Sequence, residues 1–321
     1  MMKKILCPVD FSESSNYTVW YAHELSKLLG GELHCLHVFN PGTAGSMVEG
    51  AYVSTGSIDA TLERIQDHSI EELTKIVKRF EMQDVPVVGH HRTGRPAEEA
   101  VALAKELEAD VIVISTHGRT GFNRLIFGST CEKIVRQSPI PVLTVKYPKD
   151  WSFIQKNEGK LEIKRILYPV DFSENTEKGL SAAALLSQAI GAELVLGHVV
   201  DIRMEYPLLE TGLAMTKSED NVEDSQKRLE SMAVGLEGID VLCRVRKGQP
   251  HRSLIEMIEE EDIDFIVMPT HGYQGLSRLL LGSVAERMVR LAPCPILTMR
   301  PDHVSPHDPA GQDLEEVQLQ P

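Results

Sequence analysis

The chain has no run of eighteen apolar residues, so its hydropathy excludes a membrane-spanning helix. It has few cysteines. There are five, an odd number, and no C-x-x-C joins any of Cys7, Cys35, Cys131, Cys243 and Cys294. Neither a disulfide framework nor a thiolate zinc site is expected, and the thiols read as small buried hydrophobes of a reducing compartment. Positive charge is also short, with 33 Lys and Arg against 47 Asp and Glu and a net charge of −14. A phosphate backbone is repelled by such a surface, so no nucleic-acid partner is expected. Several catalytic signatures are missing as well. There is no G-x-x-x-x-G-K-S/T, no G-x-G-x-x-G after a first strand, no G-x-S-x-G and no H-E-x-x-H. These absences argue against a P-loop NTPase, a dinucleotide-binding domain, a nucleophile elbow and a zinc protease helix. The basic start, Met1 to Asp10, has too short an apolar stretch for a signal peptide, and a cytoplasmic protein is expected.

What is present is ordinary globular material, 42% hydrophobic and 25% charged, in 321 residues, a length suited to two domains. The charge is uneven: net −3 over residues 1–150, −6 over 151–300 and −5 over the last 21. That last stretch has four prolines and few large apolar groups, and disorder is expected over 302–321.

The chain repeats itself. Ile5-Leu6-Cys7-Pro8-Val9-Asp10-Phe11-Ser12-Glu13 returns as Ile166-Leu167-Tyr168-Pro169-Val170-Asp171-Phe172-Ser173-Glu174, at an offset of 161. His37-Val38 returns as His198-Val199 at the same offset. Gly94-Arg95-Pro96, Thr116-His117-Gly118 and Gly128-Ser129 return as Gly248-Gln249-Pro250, Thr270-His271-Gly272 and Gly282-Ser283, at an offset of 154. A seven-residue deletion therefore lies between Val199 and Gly248. The reading is a duplicated domain, 1–148 and 163–301, with a linker at 149–162.

Within each copy, apolar β-rich runs alternate with helical periodicity. In the first, residues 3–9, 32–38, 85–91, 111–114 and 142–145 read as strands. Gly30-Gly31 stops the first helix and Pro96 opens another. The order predicts an α/β fold of two tandem doubly wound domains, each a five-stranded parallel sheet with helices on both faces. The final strands, Pro139–Val145 and Pro293–Met299, are short sheet edges, and pairing between them across the domains is expected, giving an internal pseudo-twofold.

Ligands of such sheets bind beyond the carboxyl ends of the strands, where strand order reverses. Asp10 follows the first strand and Thr116-His117-Gly118 the fourth. Gly128-Ser129 opens a helix, whose N-terminal amides suit a phosphate. Plainer roles compete. Ser129-x-x-Glu132 and Ser283-x-x-Glu286 have the form of capping boxes, and Asp10 and Asp171 precede Glu13 and Glu174 by the same spacing. His37 and His198 read as structural rim histidines. His117 and His271 read as structural residues or as bases. His34, His37, His90 and His91 do not recur as a set, and no metal site is expected.

Pro-Val-Asp-Phe-Ser after the first strand, the Gly-x-Pro turn, and His-Gly followed nine residues later by Gly-Ser together resemble the universal stress protein family. The resemblance covers residues 3–147 and 163–300, making the chain similar to a tandem member. Many members bind ATP through Gly, two residues, Gly, nine residues, Gly, then Ser or Thr. That implies nucleotide-binding roles for Gly118, Gly128 and Ser129, and for Gly272, Gly282 and Ser283. Ser115 and Pro269 stand where the first glycine belongs, so the first site ranks above the second. The resemblance further matches Asp10 and Asp171 to the aspartate at the adenosine end, and Val38 and Val199 to the valine whose backbone meets adenine. It implies a stress-response sensor or signalling module holding ATP, with Mg²⁺ assisting. The alternatives are a nucleotide-free scaffold for protein partners and a slow ATP hydrolase. A homodimer is compatible with either.

Overall fold

The computed structural model describes residues 2–42, 55–81, 84–116, 128–148, 159–202, 217–270 and 281–300. Within the first domain run β1 (Lys4–Val9), α1 (Glu13–Leu29), β2 (Glu32–Phe39), α2 (Thr55–Glu81), β3 (Val87–Thr93), α3 (Pro96–Glu106), β4 (Val111–Ser115), α4 (Ser129–Gln137) and β5 (Val142–Val145). The second repeats the order with β6 (Arg165–Val170), α5 (Glu174–Ile190), β7 (Glu193–Asp201), α6 (Lys217–Val234), β8 (Val241–Gly248), α7 (Pro250–Glu260), β9 (Phe265–Pro269), α8 (Ser283–Leu291) and β10 (Ile296–Met299). The length difference falls where the repeat arithmetic put it, with α2 at 27 residues and α6 at 18.

Local chemistry sets most boundaries. Gly30 ends α1 at φ 64, in the left-handed region, and its N–H bonds back to Lys27 O. Gly31 then lies against the first strand, where an added Cβ would meet Lys3 O at 2.5 Å. Pro96 and Pro250 occupy the first turns of α3 and α7, where a missing N–H costs nothing. The third strand begins two residues later than its apolar run, at Val87, and reaches Thr93. Pro86 explains this. It cannot donate to a ladder, although its carbonyl accepts the Leu33 N–H at 2.9 Å.

All ten strands form one sheet in the order β3-β2-β1-β4-β5-β10-β9-β6-β7-β8. Each half is parallel, and β5 and β10 join antiparallel, with Leu143 opposite Leu297. The expected edge pairing is present, and its twofold character extends to the side chains. Thr144 Oγ1 donates to Ile296 O at 3.3 Å and Thr298 Oγ1 to Val142 O at 3.1 Å. Lys146 Nζ caps the end of α8 through Arg290 O and Ala292 O, at 2.8 and 2.6 Å. Arg300, its counterpart at offset 154, donates to Arg136 O at the end of α4, at 2.9 Å.

The two faces of the sheet are built differently. On one, α1, α2, α5 and α6 cover a single core that runs through both halves, from Leu33 and Val87 to Tyr168 and Leu229. On the other, α3 and α4 enclose one core around Leu36 and Ile134, and α7 and α8 a separate one around Met257 and Met288. Cys7, Cys35 and Cys131 are buried in these layers, while Cys243 and Cys294 are only partly covered. Burial pushes the Cys35 thiol up to about 12. Linker residues 149–158 and the tail from 301 lie outside the described residues, as do Gly118, Gly272, His117 and His271.

Candidate functional site

Strand order reverses between β1 and β4, and again between β6 and β9, so each half has one switch point. There the ladder is short. β1 pairs with β4 only at Ile5↔Val111 and Leu6↔Ile112, and β6 with β9 only at Ile166↔Phe265 and Leu167↔Ile266. The cause is a proline. Lys3 O accepts from Glu32 on the β2 side and Lys4 O from Asp110 on the β4 side, so successive residues of β1 face alternate neighbours. Lys4, Leu6 and Pro8 therefore face β4, and Pro8 has no N–H to give to Val113 O. Pro169 does the same in the second half. Two central strands thus part toward their carboxyl ends, and a crevice opens between them.

The crevices differ in one backbone donor. In β9 the Ile266 and Thr270 amides donate to Pro295 and Met299, toward β10. Pro269 therefore faces β6, and the rung to the Pro169 carbonyl is also missing. Ser115, in the matching place of β4, retains its N–H and is 9% exposed. Pro269 thus lacks an N–H on the side that faces β6 across the crevice.

Beyond β1 the chain turns on Phe11, at φ 64. Asp10 Oδ1 accepts the Ser12 N–H at 3.0 Å and the Ser12 hydroxyl at 2.6 Å. Ser12, not Asp10, is the N-cap of α1, its side chain accepting the Ser15 N–H. The second half repeats the turn, with Phe172 at φ 57, Ser173 as N-cap of α5, and Asp171 Oδ1 accepting the Ser173 N–H and hydroxyl at 3.0 and 2.5 Å. The aspartate thus holds the turn and presents its carboxylate at the crevice mouth. His37 and His198 brace it. Each donates Nδ1–H to the last carbonyl of the first strand, Val9 O at 2.9 Å and Val170 O at 2.7 Å. Each also lies against the turn's phenylalanine ring, with centroids 4.3 and 4.5 Å apart. Burial lowers the His198 pKa below the usual histidine value. Val38 and Val199 sit at the carboxyl ends of β2 and β7, opposite Arg92 and Arg246 in register.

Across the crevice, Gly128 N–H bonds Thr116 O at 2.9 Å and Gly282 N–H bonds Thr270 O at 2.7 Å. Those bonds pin together the two ends of each loop carrying the expected glycine. Gly128 and Gly282 are the N-caps of α4 and α8, and no side chain caps either helix. This corrects the capping-box reading. Ser129 and Ser283 are first helical residues and exposed, while Glu132 and Glu286 pair forward with Arg136 and Arg290, at 3.1 and 3.0 Å. The first-turn amides lack a side-chain acceptor, an arrangement that suits an anion. Gly128 has φ −61, open to any residue, so its small size matters for space rather than conformation.

The structure therefore brings Asp10, Ser115, Gly128 and Ser129 to one switch point, and Asp171, Gly282 and Ser283 to the other. The roles of Pro8 and Pro169 were not read from the sequence, although both lie inside the motif that revealed the repeat. The His34–His90 pair has local partners only. His34 Nδ1 meets His90 Nε2 at 2.9 Å and His34 Nε2 meets Glu32 at 3.1 Å, away from the strand ends.

Comparison with known proteins bears on the family and the fold. The universal stress protein family's sequence model matches twice, at residues 1–146 and 162–300. A universal stress protein of Mycolicibacterium smegmatis is 26% identical over 304 residues, covering 92% of this chain and 97% of that one. One from Methanocaldococcus jannaschii is 31% identical over 150 residues, covering 46% of this chain and 85% of its own. The solved structure of a universal stress protein from Archaeoglobus fulgidus has the same fold, with a TM-score of 0.66, 21% identity, and coverage of 93% of this chain and 98% of that one. With both halves matched and nearly the whole length accounted for, the chain belongs to the universal stress protein family.

Proposed function

We propose that this protein binds an adenine nucleotide, ATP with Mg²⁺ above all, in at least its first crevice, and acts as a stress-response sensor rather than by turnover. The observation that carries the reading is the crevice left by Pro8, with the Asp10 carboxylate at one side and the uncapped N-terminus of α4 at the other. A carboxylate accepts hydrogen bonds from ribose hydroxyls, and free helix amides donate to phosphate oxygens. Val38 would supply backbone to the base. Ser115, Gly118, Gly128 and Ser129 would line the ribose and phosphate path. Asp171, Val199, Gly272, Gly282 and Ser283 would serve a second site. His37 and His198, near the carboxyl ends of β2 and β7, are engaged with backbone carbonyls, which favours a bracing role for them over a catalytic one.

The test is thermal. Ligand at about 100 times its dissociation constant stabilises the native state by about 2.7 kcal/mol. Millimolar Mg-ATP is expected to raise the melting temperature of the protein stripped of nucleotide, and Gly128→Val to remove most of the rise. An unchanged curve in the wild type overturns the reading.

A further inference from the structure

One residue past Asp171, the Phe172 ring carries a cation. The guanidinium carbon of Arg228, from α6, lies 4.0 Å from the ring centroid. Arg228 is exposed, and among the described residues its side chain has neither a hydrogen bond nor an ion pair. The same ring meets His198, so the guanidinium stands over the turn that forms the mouth of the second crevice. Among the described residues the first crevice has no such group. Phe11 stacks on His37, with planes 28° apart, and among the described residues no cation stands over it.

The carboxylates differ in the same sense. Besides Ser173, Asp171 Oδ1 takes the hydroxyl of Thr176. In the first half Ser15 holds that place, and its hydroxyl turns instead to Ser12 O at 3.1 Å. Thr176 thus bonds the second carboxylate, where Ser15 does not bond the first. His198 adds no charge there at neutral pH, since burial lowers its pKa.

We propose that the second crevice takes an adenine nucleotide whose ribose carries a phosphate on its 2′ or 3′ oxygen, with Arg228 as the residue that selects it. The inference rests on the nucleotide reading above. A carboxylate alone favours free ribose hydroxyls and repels a phosphate there, whereas a nearby arginine accommodates it. Stacking on Phe172 fixes the guanidinium plane and leaves its edge N–H groups for two phosphate oxygens. The first crevice, with Asp10 and, among the described residues, no arginine over Phe11, is left for the unphosphorylated ribose.

The experiment is calorimetry on the full chain with AMP, adenosine 3′,5′-bisphosphate and adenosine 2′,5′-bisphosphate. At least one bisphosphate is expected to bind more tightly than AMP at a site that survives Gly128→Val. Arg228→Ala should weaken that bisphosphate by about tenfold or more, the worth of a charge-assisted bond, and leave AMP binding unchanged. Arg228→Lys should restore part of the loss. Arg228 is an exposed helical position, so the variants fold. AMP binding with no bisphosphate preference, or a preference indifferent to Arg228→Ala, overturns this inference alone. Binding of none of the three, with Mg-ATP also without effect, overturns the nucleotide reading and this inference together.

Discussion

Beneath their first helices the two domains fill the same space with different pairs of residues. In the first, the matching positions are Cys7 of β1 and Thr18 of α1, both fully buried, and the Thr18 hydroxyl folds back on Ser14 O. In the second, at the constant offset, the pair is Tyr168 and Gly179. Tyr168 is fully buried and donates its hydroxyl to Thr176 O at 2.5 Å. A Cβ on Gly179 would stand 2.5 Å from that oxygen. On the other face, Leu36 and Leu103 of the first domain become Gly197 and Met257, where a Cβ would meet the Met257 sulfur at 2.6 Å. In each pair of the second domain one member is glycine, and at Tyr168 the partner has grown to fill the space, while the turn Pro-Val-Asp-Phe-Ser is kept. The core tolerates exchange when volume is conserved. The turn does not have that freedom, because its proline parts two strands and its phenylalanine sits at positive φ.

The largest effect is expected where that exchange is undone on one side. Gly179→Ala should destabilise the protein by about 1–3 kcal/mol, since overpacking displaces a buried tyrosine from its acceptor. Tyr168→Cys alone leaves a cavity and should cost at least as much as typical large-to-small changes, about 3 kcal/mol or more. The double change Tyr168→Cys, Gly179→Thr installs the first domain's pair and should lie nearer the wild type than the sum of its parts. Denaturant midpoints of the three variants measure this, and strict additivity would break the comparison.

A smaller effect separates two serines that look alike in sequence. Ser12→Ala should cost about 1 kcal/mol, because it removes the N-cap of α1. Ser129→Ala should stay within about 0.5 kcal/mol, because its helix is capped by Gly128 and it is an exposed first residue. Equal losses in chemical denaturation would return Ser129 to a capping role.

The smallest effect compares the two sides of the seam. Burial lowers the Lys146 amine from 10.5 to about 8. Between pH 8 and 10.5 the unfolded chain then binds more protons at this site than the folded one, so its contribution to stability rises with pH across that window. Arg300, its counterpart, keeps its charge throughout. Lys146→Arg should flatten the rise, read as the difference between the two proteins' denaturation midpoints at either end of the window. Partial exposure and the two carbonyls that favour the ammonium form keep the effect modest.

The fold was legible because the duplication supplied its own check. Each strand and helix cue appeared twice, and two short terminal strands left edges with one evident use. The family motif was legible for the same reason. The contents of the crevices were less so. The spacing Ser129-x-x-Glu132 satisfies the capping pattern, yet the helix begins one residue earlier and Glu132 is drawn forward to Arg136. Strand alternation turns the Pro269 nitrogen toward β6, a direction the motif alone does not give. Arg228 carries no motif at all. It reaches Phe172 only because α6 packs over the sheet, a tertiary relation no local pattern encodes.

The core that crosses the seam has a thermodynamic consequence. Tyr17, Val145, Tyr168 and Met299 belong to one buried cluster, so unfolding either half strips apolar surface from the other. The opening that exposes the innermost amides of β9 is then an opening of the whole chain. A ligand held only in the first crevice lowers the population of that open state for every residue that depends on it. Hydrogen exchange at Ile266 and Val267 would slow when a nucleotide binds beside Asp10, with no atom of the second domain displaced.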